Sequence, residues 1–355
     1  MPIIDVRTHR LRAELHTPFV TALRRTTHAE SLIVELVDDA GHRGLGEAPQ
    51  VWQVTGDSIA GSEACVTEAL APLLIGRDPD DLVGLARAVG RAVVGNDAAK
   101  MAVDCALHDL VARRAGVSLV RLLGGTALRV PTDVTLSAGE IDGLREAATA
   151  RVKEGFTTLK LKVGADAAGD LARIHAVREA AGPGVTIRLD ANQGWSARDA
   201  VRIIHGLEDA RIGIEFVEQP VARWDVEGLA WVSERVETPI MADESVFGVR
   251  DLVEVIRRRA ADLVNVKLAK CGGLTNARTL LELARAHGLG TVVGSMMEGP
   301  IGIGAAAALV AAYPTTAVSD LDAAWWLAAS PVTGGVRYDG SEIVLPDAPG
   351  LGVEL

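Results

Sequence analysis

Six charged residues fall at near-regular intervals through the middle of the chain, each at the end of a β-type run. Lys160 and Lys162 close TTLKLKV, Asp190 ends TIRLD, Glu218 ends IEFVE, Asp243 ends PIMAD and Lys267 ends LVNVK. Three carboxylates flanked by lysines have the composition of a divalent-metal site with bases beside it. Asp190, Glu218 and Asp243 are hard oxygen donors with no His or Cys among them, which suits Mg²⁺, or Mn²⁺ as a substitute, over zinc. One such acid alone is more often a solvated strand end or a helix cap. Three in succession, each closing an apolar run, point to a shared ligand.

Lys160 and Lys162 are two apart and project to the same side of a strand. Two ammonium groups in a packed layer are costly to desolvate unless anions lie opposite. Crowding also lowers a lysine's pKa and makes the neutral amine available as a base. Lys267, four strands further on, would reach the same point from the other side. Two bases on opposite faces of a carbon can remove a proton from one face and return it on the other. Lys270, in VKLAK, reads as a surface lysine. Asp320 and Asp322, in SDLD, alternate to one side and could receive an ammonium group.

Elements that bring these ends together follow from the spacing. From Lys162 the steps are 28, 28, 25 and 24 residues, about one strand plus one helix with short loops. Candidate strands are VPTDVTLS, FTTLKLKV, VTIRLD, IGIEFVE, TPIMAD, DLVNVKL, GTVVGS and TAVSD, with helical spacing between them. Parallel strands linked by helices give a (β/α) barrel whose chemistry gathers at the carboxyl ends of the strands. Upstream, residues 1–48 alternate like a small antiparallel sheet with its turn at AGH, and residues 57–114 switch to helical spacing, with Asp57 as the expected N-cap. The tail GGVRYDGSEIVLPDAPG reads as a hairpin turning at Asp339-Gly340 and returning to the N-terminal sheet. The expected division is a capping domain over 1–125, a catalytic barrel over 126–325 and a returning tail over 326–355.

Composition removes other classes. The chain has 355 residues, 47 Asp and Glu against 36 Lys and Arg, and a formal charge of −11. It offers no basic tract for nucleic acid and no uninterrupted apolar run of about 18 residues for a membrane span. The start, MPIIDVRTHRLRAEL, lacks the apolar core of a secretory signal, so a cytoplasmic location is expected. Cys65, Cys105 and Cys271 are odd in number and far apart, which suits reduced, buried thiols.

Taken together, KLK, DANQGW, EQP, ADES and VKLAKCGG resemble the muconate-lactonizing subgroup of the enolase superfamily over essentially the whole chain. The resemblance implies a modified (β/α)7β TIM-type barrel with an α+β capping domain completed by the C-terminal tail. It implies Mg²⁺ on Asp190, Glu218 and Asp243, acid/base roles for Lys162 and Lys267, an electrostatic role for Lys160, and support of the ligands by Asn192 and Glu244. The chemistry would be proton abstraction α to a carboxylate through an enediolate. The Asp320-x-Asp322 pair is similar to the element that binds the free α-amino group in dipeptide epimerases. PFVTALRRTTHAES is similar to the capping loop of L-Ala-D/L-Glu epimerases, where an arginine at the position of Arg24 faces the substrate's side-chain carboxylate; Arg25 beside it competes for that direction. Glu298, in SMMEG, either orients Lys267 or faces water. The expected partner is a small dipeptide, in a homo-oligomer. N-acylamino-acid racemase, o-succinylbenzoate synthase and cycloisomerase chemistry remain alternatives on the same site, and a non-catalytic barrel is a more distant one.

Overall fold

A computed structural model describes all 355 residues. The first three strands, β1 (Ile3–Val20), β2 (Arg25–Asp38) and β3 (Arg43–Pro49), form an antiparallel sheet in that order. Alternation along β2 buries Leu32, Val34 and Leu36 in one cluster with Ala98, Ala102 and Ala106 of the helix Asp97–Arg114. β3 lies almost backbone to backbone on that helix: a Cβ at Gly46 would sit 1.9 Å from the Ala102 carbonyl oxygen, so only glycine fits. The preceding helix starts one residue later than expected. Ser58, not Asp57, is its N-cap and accepts from the Gly61 N–H at 3.0 Å.

After a short strand β4 (Arg129–Pro131), a seven-stranded parallel sheet runs in sequence order. Its strands are β5 (Val134–Leu136), β6 (Thr158–Lys162), β7 (Thr186–Asp190), β8 (Ile214–Glu218), β9 (Ile240–Ala242), β10 (Leu263–Lys267) and β11 (Gly290–Gly294). TAVSD does not form an eighth strand. Ser319 makes a lone bridge to Thr132 and Asp320 one to Gly294, and these close the gap between β5 and β11. The threonines explain the difference: Thr315 Oγ1 donates to the Ala317 carbonyl, and Thr316 Oγ1 accepts the Thr291 N–H. Side chains thus replace ladder partners just where a strand would have begun.

Arg188 crosses the barrel interior beneath the charged mouth. A bulge between β7 and β8 sets both Glu215 and Phe216 opposite it. Its guanidinium donates to Glu215, stacks 4.6 Å over the Phe216 ring, and donates to Asp133 Oδ2 at 2.9 Å and to the Val318 carbonyl at 2.7 Å. One buried side chain therefore ties β7 to β8, to the residue before β5 and to the closing segment.

The tail makes the expected hairpin, Arg337–Asp339 with Glu342–Val344, but it does not join the N-terminal sheet. Glu342–Val344 pairs with β4, whose edge is the one left open at the foot of the barrel. The last residues return to the helix Asp97–Arg114: Leu351 donates its N–H to Asp109 at 2.6 Å, and Arg113 pairs with Glu354. No helix is long and apolar enough to cross a membrane.

Arg188→Met should leave Asp133 buried without its counter-charge and destabilise the fold by about 3–5 kcal/mol. Adding Asp133→Leu should recover part of that loss in urea unfolding. A single variant as stable as the unaltered chain would contradict this account of barrel closure.

Candidate functional site

Register places the charged side chains. Lys160 pairs with Arg188, Lys162 with Asp190, and Asp190 with Glu218, so their side chains share the interior face. The chain then turns sharply. Asn192 and Gln193 have φ of 41° and 69°, and Gln219 has 35°, left-handed conformations that cost non-glycine residues about 1–3 kcal/mol each and concentrate at functional sites. Gln219 repays the strain with contacts: its Oε1 accepts from the Asp243 and Ser245 N–H groups at 2.9 and 3.1 Å, fastening the end of β8 to the loop after β9. At the end of β11, a Cβ on Gly294 would meet Lys267 Cε at 2.8 Å and Asn265 Oδ1 at 2.6 Å. Glycine there leaves room for Lys267 to lie across the mouth.

Asp190, Glu218 and Asp243 come together as expected, all at most 1% exposed. Each has one oxygen held from behind. The Asn192 N–H donates to Asp190 Oδ1 at 2.9 Å, Asn265 Nδ2 to Glu218 Oε1 at 2.8 Å, and Lys270 Nζ to Asp243 Oδ1 at 2.5 Å. The other oxygens face inward to the lysines. Lys160 Nζ lies 3.0 Å from Asp190 Oδ2 and 2.6 Å from Glu218 Oε2, Lys162 Nζ 2.5 Å from Asp190 Oδ2, and Lys267 Nζ 2.8 Å from Asp243 Oδ2. Asn192 Nδ2 donates to Glu244 Oε1 at 3.2 Å. Glu244 Oε2, Asn192 Oδ1 and Asn265 Oδ1 are buried and accept no hydrogen bond, and Glu218 Oε2 faces the Lys160 ammonium without the alignment of a hydrogen bond.

The charges do not balance. Lys160, Lys162, Lys267 and Lys270 meet Asp190, Glu218, Asp243, Glu244, Asp320 and Asp322, all buried. The set is short of two positive charges. Burial, then the Asp190 charge, pushes Glu218 up to about 7; burial, then Asp243, pushes Glu244 up to about 8. Burial also opposes ionisation of Asp190 and Asp243, but Lys160 and Lys162 at the first, and Lys267 and Lys270 at the second, hold both well below the usual carboxylate range. At Lys160 and Lys267 the expected lowering does not occur. Burial disfavours their charge, yet Asp190 and Asp320 hold Lys160, and Asp243 and Glu218 hold Lys267, above the ordinary range, because carboxylates outnumber ammonium groups. Hard oxygens, unpartnered acceptors and a deficit of two charges are what a small dication fits.

A cavity opens above this floor, lined by Lys162, Lys267, Asp243, Glu244, Asn192, Asp320 and Asp322 from the barrel and by Phe19, Thr21, Leu23, Arg24 and Val54 from the first 60 residues. Arg24 lines it, makes no salt bridge, and is lowered to about 10 by burial; Arg25 is exposed and lies in the outer groove. Lys160 lies deeper, outside the cavity lining, and donates to Asp320 Oδ2 at 2.7 Å. Asp322 is fixed by the Thr135 N–H at 2.7 Å and Trp326 Nε1 at 2.9 Å. Glu298 does not face water: it is 1% exposed, accepts from the Met296 N–H at 2.8 Å, and is pushed up to about 8 by burial and then Glu47.

Lys270 corrects the sequence reading. It is 1% exposed, because the single turn Leu268–Cys271 after β10 swings it back under Asp243. Asn265 and Gln219 were also missed. Asn265 carried a usable signal, being two residues before Lys267 on the same strand face; Gln219 is recognisable only once its loop geometry is known.

Comparison with known proteins agrees with this geometry. Residues 3–124 match the mandelate racemase / muconate lactonizing enzyme N-terminal domain, and residues 143–355 match the enolase C-terminal domain-like family. The L-Ala-D/L-Glu epimerase of Bacillus subtilis is 42% identical over 354 residues, 99% of this chain and 97% of that protein. A substrate-liganded structure of the Bacillus subtilis L-Ala-D/L-Glu epimerase superimposes with a TM-score of 0.97, covering 99% of both chains. The dipeptide epimerase of Enterococcus faecalis V583, complexed with Mg and the dipeptide L-Leu-L-Tyr, is 38% identical with a TM-score of 0.96 over the full length of both chains. The chain therefore belongs to the enolase superfamily, in its mandelate racemase / muconate lactonizing enzyme group.

Proposed function

We propose that this protein is a Mg²⁺-dependent dipeptide epimerase that inverts the α-carbon of the C-terminal residue, with L-Ala-D/L-Glu as its substrate pair and murein peptide metabolism as its setting. One observation carries the reading: a single cavity is lined by two lysines from β6 and β10, an acid pair, and an arginine without an anion partner. Asp190, Glu218 and Asp243 would hold the metal, with Mn²⁺ a possible substitute, and Asn192 and Glu244 would support them. When bound, Mg²⁺ would supply positive charge that stabilises the substrate carboxylate as its α-carbon loses a proton.

The side chains divide the remaining work. Lys162 and Lys267 stand four strands apart in the sheet order, with β7, β8 and β9 between them, and address opposite faces of the α-carbon. The amine on one side takes the proton while the ammonium on the other returns one. Lys160, beneath the floor, adds positive potential and orients Asp320. Asp320 and Asp322 receive the dipeptide's ammonium. Arg24 meets the second residue's side-chain carboxylate, for which a planar guanidinium is suited to bidentate contact. A zwitterionic dipeptide with one acidic side chain carries one net negative charge, which Arg24 offsets.

In this reading residues 1–125 form the cap over the site, 126–325 the catalytic barrel and 326–355 the tail that joins them. The three cysteines are free and buried, which supports a reducing cytoplasm. Assembly into a homo-oligomer belongs to the same reading.

Chelation should abolish turnover and added Mg²⁺ should restore it; full activity after verified metal removal would sink the metal assignment. Arg24→Met should lower kcat/KM for L-Ala-L-Glu by roughly a hundredfold or more, at about 1.4 kcal/mol per decade, and should affect L-Ala-L-Leu far less. N-acetylation of the dipeptide should harm every substrate, because it deletes the charge that Asp320 and Asp322 expect. Equal turnover of acetylated and free dipeptides would replace this reading with N-acylamino-acid racemase.

A further inference from the structure

The outward oxygens of the three carboxylates already have partners. Asp190 Oδ1 is engaged by the Asn192 N–H, Glu218 Oε1 by Asn265 Nδ2, and Asp243 Oδ1 by Lys270 Nζ, at 2.9, 2.8 and 2.5 Å. Lys270 also donates to the carbonyls of Asp243 and Asn265, so its ammonium is fixed by three acceptors and cannot swing away. Each carboxylate is left with a single inward oxygen, and each of these faces a lysine ammonium: Asp190 Oδ2 and Glu218 Oε2 face Lys160, and Asp243 Oδ2 faces Lys267.

We infer that Asn265 and Lys270 are positioning residues that hold the carboxylates to one metal-facing oxygen each, and so select a small six-coordinate dication over Ca²⁺. The inference rests on the Mg²⁺ reading above. Mg²⁺ takes six ligands in near-ideal octahedral geometry, whereas Ca²⁺ takes six to eight oxygens and commonly uses both oxygens of a carboxylate. A carboxylate whose second oxygen is tied from behind must break that bond to bind in two-oxygen fashion. For Glu218 this would strand a buried amide, and for Asp243 it would take the only anionic one of three acceptors from a buried ammonium; both are costly. The donors therefore act on the ratio of affinities, beyond any effect on affinity itself.

The test is calorimetric titration of the full-length, metal-stripped protein with MgCl₂ and, separately, CaCl₂, without substrate. The unaltered chain should prefer Mg²⁺. In Asn265→Ala, which frees Glu218 Oε1 without changing charge, the preference for Mg²⁺ over Ca²⁺ should shrink by roughly tenfold, the lower range for loss of a partner behind a metal ligand. Lys270→Met should shift the ratio in the same direction; its lost charge acts on both dications alike and cancels in the ratio. A general loosening of the fold would weaken both cations together. A ratio unchanged in whichever variant still binds Mg²⁺ would overturn the inference while leaving the metal site standing. An unaltered chain that binds neither cation would overturn the metal reading itself.

Discussion

The controlling constraint is electrostatic. Six buried carboxylates and four buried ammonium groups share the mouth of one barrel, and every ammonium lies against at least one carboxylate. Lys160 is the hub: its Nζ is within 3.0 Å of Asp190, Glu218 and Asp320, which belong to β7, β8 and the closing segment. Removing one member of such a group costs far more than the pair contributes, because its partners remain buried without compensation. The deficit of two positive charges is what makes this a site and not merely an internal ion-pair lattice.

The rest of the fold serves that constraint. Parallel strands deliver the charges to one end, the β8 bulge lets Arg188 balance Asp133 below, the left-handed turn at Asn192 brings its N–H behind Asp190, and the one at Gln219 fastens the end of β8 to the loop after β9. Phe19, Leu23 and Val54 from the first 60 residues roof the cavity. Roofing removes water, so the same charges interact more strongly than they would at an open surface. Arg24 enters with that roof, so under the proposed function choice of substrate falls to the cap and the proton chemistry to the barrel.

Much of this was legible in the sequence, for a physical reason. A strand's period of two and a βα unit's near-constant length convert residue spacing into position, so Lys162, Asp190, Glu218, Asp243 and Lys267 could be placed on one rim before any coordinates. What spacing cannot convey is how a chain bends after a strand ends. Lys270 looked like a surface lysine because the turn that buries it begins at Leu268, just past the strand. The eighth strand was misjudged because β-prone threonines spent their hydroxyls on local hydrogen bonds. The tail hairpin was read correctly in itself, but its partner, the short edge β4, is too brief to announce a free edge. The pKa directions of Lys160 and Lys267 were missed because they depend on which carboxylates the folded barrel sets against each ammonium, Asp190 and Asp320 at the first and Asp243 and Glu218 at the second.

The central claim is that two lysines address one carbon from opposite sides. The most direct measurement follows deuterium entry at the α-carbon of L-Ala-L-Glu and L-Ala-D-Glu in D₂O, by NMR, for Lys162→Ala and Lys267→Ala. Each variant should exchange the α-proton of one epimer only, a different one for each, and neither should interconvert the two. Interconversion at an undiminished rate in either variant, or exchange of both epimers by one remaining lysine, would contradict the account.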